Sequence, residues 1–449
     1  MYDNFIDVNE KFKASVNLEY DLLNEEKIMQ YVPTTDLCDV LKSYIKSFIF
    51  GAQFNSTILS GPYGKGKSFL ILMLIYLMSK HDNAELFNSV LKKIKLIDLE
   101  LFEMLQKMEE DGIYLYPVII NNNSFEDINK SFLLALNNTL RIYGLEDIIP
   151  NTTFKECLSI IERWEQQTSN GFDVRKCLKK ITLEELKAGL KRYDYEAYKE
   201  FSDLYTCVSQ GLVFFSMKSD DIVGVFSDVV NQLIKKDNKC RGLFVVFDEF
   251  GSFLNSQTND FASKLNKIQS FAESANASTL DRQLHLCCIT HKDILLYKKE
   301  KNYSDAFQTI AGRFKQLRFD RSLDENYQII CSALLKKEGY NELNNQLKEK
   351  YQDVLNKMSE IGIFALDQLD YIIDNGLPFN PITIYSLIQV SEKIAQNERT
   401  LFTFLSDKDV DGFRHFISND MDALLNIDKI YNYFVDLIKD SEEYKMLYY

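Results

Sequence analysis

The sequence predicts an α/β fold built on a parallel sheet covered by helices on both faces, with further parts that are purely helical. Three observations predict it. The stretch TILSGPYGKGKSFLILMLIYLM, residues 57–78, reads as a strand, a glycine-rich loop and an apolar helix in direct succession. GLFVVFDEFGSFL, residues 242–254, contains the continuous apolar run Leu243 to Phe247, as expected of a strand buried on both faces. Most of the remaining chain carries apolar residues at helical spacing, with only 6 Pro and 17 Gly to interrupt it.

Length and composition set the limits. At 449 residues the chain exceeds what one compact core usually holds, so two or three domains are expected. Its 32 Phe and 25 Tyr are ample for sizeable cores. A formal charge of −14 excludes a generally basic, free-standing nucleic-acid binder, so any DNA contact needs a local patch or another subunit. Eight scattered cysteines without a C-x-x-C pair, and only 4 histidines, argue against a zinc site. They fit reduced, mostly buried thiols in a cytoplasmic protein. The opening MYDNFIDVNEKFK lacks the basic end and apolar core of a signal peptide, and the apolar run FLILMLIYLM is too short to span a bilayer. No membrane partner is expected.

Gly61, Pro62, Tyr63, Gly64, Lys65, Gly66, Lys67 and Ser68 fit G-x-x-x-x-G-K-[ST] without a mismatch. Glycines let the backbone turn tightly and aim successive N–H groups at phosphate oxygens. Lys67 is placed to reach the β- and γ-phosphates of ATP, and the Ser68 hydroxyl to hold Mg²⁺. The helix opening at Ser68 and Phe69 brings its positive dipole end to the same phosphates.

Such a loop needs an acidic partner at the end of a buried strand. Asp248 and Glu249 follow Phe247 directly, at the carboxyl end where ligands bind in open α/β sheets. Asp248 is expected in the Mg²⁺ shell, and Glu249 as the general base that polarises the attacking water. A glutamate here marks the P-loop class that inserts an extra strand between the loop strand and the acidic strand. LHLCCITH, Leu284 to His291, is the segment for it. Its tip offers Thr290 or His291 to sense the γ-phosphate; Thr290 is preferred, and His291 is equally suited to a supporting role. AGRFKQLRF reads as a helix end, Arg313, and a strand from Lys315 to Phe319. This class places an arginine there as a finger into a neighbour's nucleotide.

The rest falls into parts. Residues 1–30 read as a polar, helix-prone N-terminal arm. Residues 31–147 and 236–320 make the P-loop ATPase core. Within it YVPTTDLCDVLKSYIKSF opens a helix near Thr34 and Asp36, a segment that in such ATPases often lies against adenine. YLYPVIINNNSF gives a strand from Tyr114 to Asn121, expected beside the loop strand. Residues 148–235 read as a helical insertion, with Trp164 and its tyrosines as core. Residues 321–405, without a further strand, read as a helical lid. There Arg399 either contacts the nucleotide of its own subunit or caps and bridges helices. Residues 406–449 are the start of a further helical region or a tail.

Taken together, GPYGKGKS, FVVFDEFGSFL, THKDILLY with AGRFKQLRF, and LPFNPITIYSLIQVSEKIAQNERTLFTFL resemble the AAA+ ATPases of bacterial anti-phage defence, including the large P-loop proteins of BREX-type systems. The resemblance covers most of residues 30–405, with the insertion poorly matched. It implies an AAA+ (ASCE) P-loop three-layer sandwich with a helical insertion and a C-terminal α-helical lid. It also implies ATP hydrolysis, homo-oligomers, partner defence proteins and action on phage or foreign DNA. Lys67, Ser68, Asp248, Glu249, Arg313 and Arg399 are the positions that take roles from it. Those relatives are usually far longer, so the sequence is either a compact version or a fragment. Two functions follow as expectations: a DNA-directed motor or clamp, or a signalling switch that oligomerises with nucleotide and activates an effector.

Overall fold

The computed structural model describes residues 1–9, 16–62, 66–121, 127–145, 147–148, 152–166, 174–178, 181–214, 221–256, 260–298, 311–319, 322–393, 398–420 and 422–440. Among them are seven strands: β1 (Ile6–Val8), β2 (Ser56–Ser60), β3 (Tyr114–Ile120), β4 (Cys240–Phe247), β5 (Gln283–Thr290), β6 (Lys315–Arg318) and β7 (Leu334–Lys336). Five form a wholly parallel sheet in the order β3-β4-β5-β2-β6.

The period of two along the strands explains the layers. Leu243, Val245 and Phe247 enter one core with the helices Ile128–Ile142, Ile222–Lys236 and Phe261–Asn276. Phe244 and Val246 enter the other, with the helices Thr35–Phe50, Lys67–Met78, Ala84–Lys95 and Leu99–Asp111. A strand between two cores must be apolar on both faces, which is why β4 reads as an unbroken apolar run. β6 is the opposite case. It lies at the sheet edge beside β2, and Lys315, Gln316 and Arg318 are exposed there. Charge on an edge strand discourages pairing with other chains.

The extra strand lies where expected, since β5 separates β2 from β4. The position of β3 corrects the sequence reading. It does not lie beside β2; it pairs with β4 at the far edge, Ile120 opposite Phe247. Three helices between Lys67 and Asp111 form a crossover long enough to step over two strand positions. Nothing within a strand states its neighbour.

In the span read as an insertion, the helices Thr153–Gln166, Leu183–Lys191 and Tyr195–Val208 pack on one another, and Trp164 stacks on Phe201 at 6.0 Å. The Ile222–Lys236 helix instead lies directly on β4 and belongs to the layer over the sheet. The cysteine reading needs amendment. Cys177 and Cys207 are joined as a disulfide, because the short Val174–Cys177 turn lies against the Tyr195–Val208 helix. Cys38, Cys157, Cys240, Cys287, Cys288 and Cys331 are buried free thiols.

A third core holds the C-terminal helices together with the N-terminal segment. β1 pairs antiparallel with β7, Ile6 opposite Lys336, and Tyr2, Ile6 and Val8 are buried. The N-terminal arm is therefore partly strand and docked, and one strand does follow Phe319. Both strands are three residues long, too short for periodicity to reveal. The helices Phe413–Asn419 and Ile427–Asp440 share this core with Pro381–Lys393 and Glu398–Ser406, so no core boundary falls at residue 405. No helix among the described residues is long and apolar enough to cross a membrane.

Candidate nucleotide site

The carboxyl ends of β2, β5 and β4 lie side by side, and each delivers one part of the site. From β2 the chain passes through Gly61 and Pro62 to Gly66, which starts the Lys67–Met78 helix at φ +82°. That left-handed conformation suits glycine, and it turns the helix N-terminus toward the loop. Gly61 is needed for a different reason. A Cβ there would lie 2.0 Å from the Phe319 carbonyl oxygen, just after β6. Tyr63, Gly64 and Lys65 lie outside the described residues. Ser68 and Phe69 form the first turn of the helix, and the Phe69 ring lies 6.1 Å from that of Tyr31. The segment leading to Thr34 and Asp36 thus borders the loop helix.

Lys67 is buried, and its Nζ donates to the carbonyl oxygens of Gly61 (2.6 Å) and Pro62 (2.5 Å). Burial pulls its pKa down to about 8, against the opposing influence of Asp248 and Glu249. An ammonium so desolvated gains more from an arriving anion than a solvated one. Asp248 follows β4, and its N–H donates to Ile120 O at 3.1 Å. Burial, then the neighbouring Glu249, raise its pKa above the usual carboxylate range. A nearby cation would relieve that cost.

Glu249 adopts φ +54°, uncommon for a residue with a side chain. Its Oε2 accepts from Ser252 Oγ at 2.8 Å and lies 3.5 Å from His291 Nε2. The contact with His291, and then the bond from Ser252, hold this carboxyl below its ordinary pKa despite partial burial. Glu249 is therefore ionised and fixed through one oxygen. Ser252 was missed in the sequence reading. Its spacing of three from Glu249, across the first turn of the Phe250–Asn255 helix, carried the signal.

Thr290 ends β5, between the loop and the acids. It is fully buried; its carbonyl accepts from Gly61 N–H at 3.3 Å, and its Oγ1 has no partner among the described residues. Buried hydroxyls are rarely left so.

Lys67, Asp248, Glu249, Thr290 and His291 are thus brought together. Arg313 is not among them. It precedes β6 at the amino end of the sheet, where its Nε meets Glu273 Oε1 at 2.9 Å and its carbonyl accepts from Asn276 Nδ2 at 2.8 Å. The register of β6 on β2 separates it from Gly61 by about six strand residues, or about 20 Å. Its side chain cannot reach its own loop. Arg399 lies in the Glu398–Ser406 helix, and its side chain is outside the described residues.

The loop side is joined to the C-terminal core by crossed caps. Glu325 Oε1 accepts from Asp36 N–H at 2.9 Å, and Asp36 Oδ2 accepts from Ser322 N–H at 3.4 Å. Each carboxylate caps the helix start of the other, a placement the helix dipoles favour.

No protein-family model matches the chain, and no curated protein matches it. Among solved structures it is similar to that of the Aeropyrum pernix Orc1 protein in complex with DNA. The identity is 9% and the TM-score 0.35, over 94% of this chain and 70% of that one. So loose an overlap pairs no residues.

Proposed function

We propose that this chain is a P-loop ATPase of the AAA+ class. The observation that carries this reading is the meeting of a desolvated lysine, two carboxylates and an unpartnered hydroxyl at the carboxyl ends of three adjacent parallel strands. Lys67 leaves the Gly61 and Pro62 carbonyls to bind ATP phosphates. Glu249, held at one oxygen by Ser252, uses its carboxylate to take a proton from the attacking water. Thr290 donates its hydroxyl to the γ-phosphate. Mg²⁺ would be held by Ser68 and Asp248, where it supplies charge neutralisation for the phosphate oxygens. Arg313, too far from its own loop, acts on the nucleotide of a second copy, which makes the working enzyme an oligomer. The resemblance of the loop, acidic and arginine segments to anti-phage ATPases supports a motor or clamp acting on DNA with partner defence proteins. A second reading, a nucleotide-driven switch that assembles and activates an effector, is favoured by the crossed caps of Asp36 and Glu325. They tie the Thr35–Phe50 helix, which packs on the loop helix, to the C-terminal helices.

Calorimetry with ATP and Mg²⁺ tests the core of this. Wild type takes up nucleotide, and Lys67→Ala binds about 10- to 100-fold more weakly through loss of a charge-assisted contact. Arg313→Ala and Glu249→Gln, each inactive alone, regain hydrolysis when mixed, because one subunit supplies the base and the other the arginine. Uptake by Lys67→Ala equal to wild type defeats the site. Mixtures as inactive as either parent defeat the shared arrangement. Hydrolysis stimulated by DNA at low salt separates the motor from the switch.

A further inference from the structure

We propose that a second polar pocket, on the surface of the C-terminal core, binds a phosphate group. It has a volume of about 340 Å³ and forms where three segments meet. Asp3 and Asp7 come from the N-terminal segment, and Lys337 follows β7 directly. Lys408, Arg414 and His415 come from the Phe413–Asn419 helix and the loop before it. None belongs to the five-stranded sheet or the loop helix, so this pocket is separate from the nucleotide site and does not rest on the ATPase reading.

The wall is built mainly of donors, and two of them are held in place. Lys337 Nζ donates to the Asp3 carbonyl at 2.8 Å and lies 3.8 Å from Asp7 Oδ2. Arg414 Nη2 donates to Asp7 Oδ1 at 3.2 Å and to the Val8 carbonyl at 3.1 Å. One carboxylate, Asp7, is thus shared by two cations. Lys408 is exposed and makes no ion pair among the described residues. Ser418 adds a hydroxyl. Three basic side chains face two carboxylates in a chain whose overall charge is −14.

A guanidinium and two ammonium groups around one cavity match a phosphate oxyanion in charge and in hydrogen-bond sense. The volume exceeds that of a lone phosphate and lies in the range of ligand pockets. The phosphate is therefore carried on something larger, either a nucleic-acid strand or a free phosphorylated compound. For the first source, the pocket itself is the local basic patch that an acidic chain needs in order to touch DNA.

The test uses the full chain in a Lys67→Ala background, which weakens phosphate binding at the P-loop, so that a further change on substitution at the second pocket reports on that pocket. Anisotropy of a labelled single-stranded oligonucleotide is read at low salt, and calorimetry is run with pyrophosphate. Arg414→Ala removes the central donor but also unties β1. Lys408→Glu loses no bond and reverses a charge, so it is the cleaner variant. Binding should weaken about tenfold or more in Lys408→Glu, and each lost phosphate contact should lower the salt slope by about 0.7–0.9. Oligonucleotide binding that behaves so assigns a nucleic-acid source, and pyrophosphate binding alone that behaves so assigns a free one. Binding of neither probe, or binding indifferent to both substitutions, overturns the proposal.

Discussion

At the amino end of the sheet, Asn55, Asn276 and Gln283 have both ends of their side-chain amides bonded. Asn55 spans Ser47, Ala275 and Ser278; Asn276 receives the N–H groups of Asn55 and Ser56 and donates to Arg313 O. Gln283 donates to Phe48 O and Leu280 O, while its Oε1 lies 2.6 Å from His285 Nε2. At the carboxyl end the Thr290 hydroxyl has no partner among the described residues, Lys67 rests on two loop carbonyls, and Asp248 is half-buried beside a second carboxylate. The strands are the same in both places and the residues are comparably polar. The difference teaches that a closed network of amides contributes structure, whereas a hydroxyl left unpartnered among the described residues beside a desolvated ammonium is what an arriving anion would satisfy.

Substitutions can break this contrast. The largest effect is expected at the carboxyl end. Glu249→Gln should lower kcat by about 10²- to 10⁴-fold while ATP still binds, read by phosphate release alongside calorimetry. A parallel loss of affinity would mean that Glu249 binds rather than catalyses.

The amino end should answer to stability alone. Burial holds the His285 pKa down at about 4, against an ordinary value near 6.5. Between those values the unfolded chain takes up a proton that the fold refuses. Stability is therefore full above pH 6.5 and falls as pH drops toward 4, by on the order of 3 kcal/mol at the limit. Urea unfolding across that range should show a steeper loss in wild type than in His285→Gln, and equal slopes would contradict the burial argument. Asn276→Ala should cost about 2 kcal/mol, because the N–H groups of Asn55 and Ser56 at the start of β2 lose their acceptor, with ATP affinity unchanged.

Thr290→Val is the smallest and sharpest test. Replacing an unpartnered buried hydroxyl with a methyl should stabilise the fold by about 1 kcal/mol and slow hydrolysis. A variant that is less stable, or equally active, would place Thr290 with the structural network instead.

Much of the site was legible in the chain because its parts are local. A left-handed Gly66 before Lys67, an apolar strand ending in Asp248 and Glu249, and a strand ending in Thr290 are each written within about ten residues. The position of β3, the pairing of β1 with β7 and the bonding of Cys177 to Cys207 were not legible. Each depends on a partner far along the chain, and local periodicity holds no record of it. The tether from Ser252 to Glu249 is written in the chain as a helical spacing of three.

By itself the sequence determined which segments become strand and helix at the carboxyl end of the sheet, since backbone freedom, side-chain period and charge act over a few neighbouring residues. Only the tertiary structure decided that the Thr290 hydroxyl has no partner among the described residues, that Arg313 stands at the opposite end from its own loop, and that Asp7 is shared by Lys337 and Arg414. Those facts follow from how distant segments stack and from which polar groups the stacking happens to satisfy, and burial is a property of the whole packed chain.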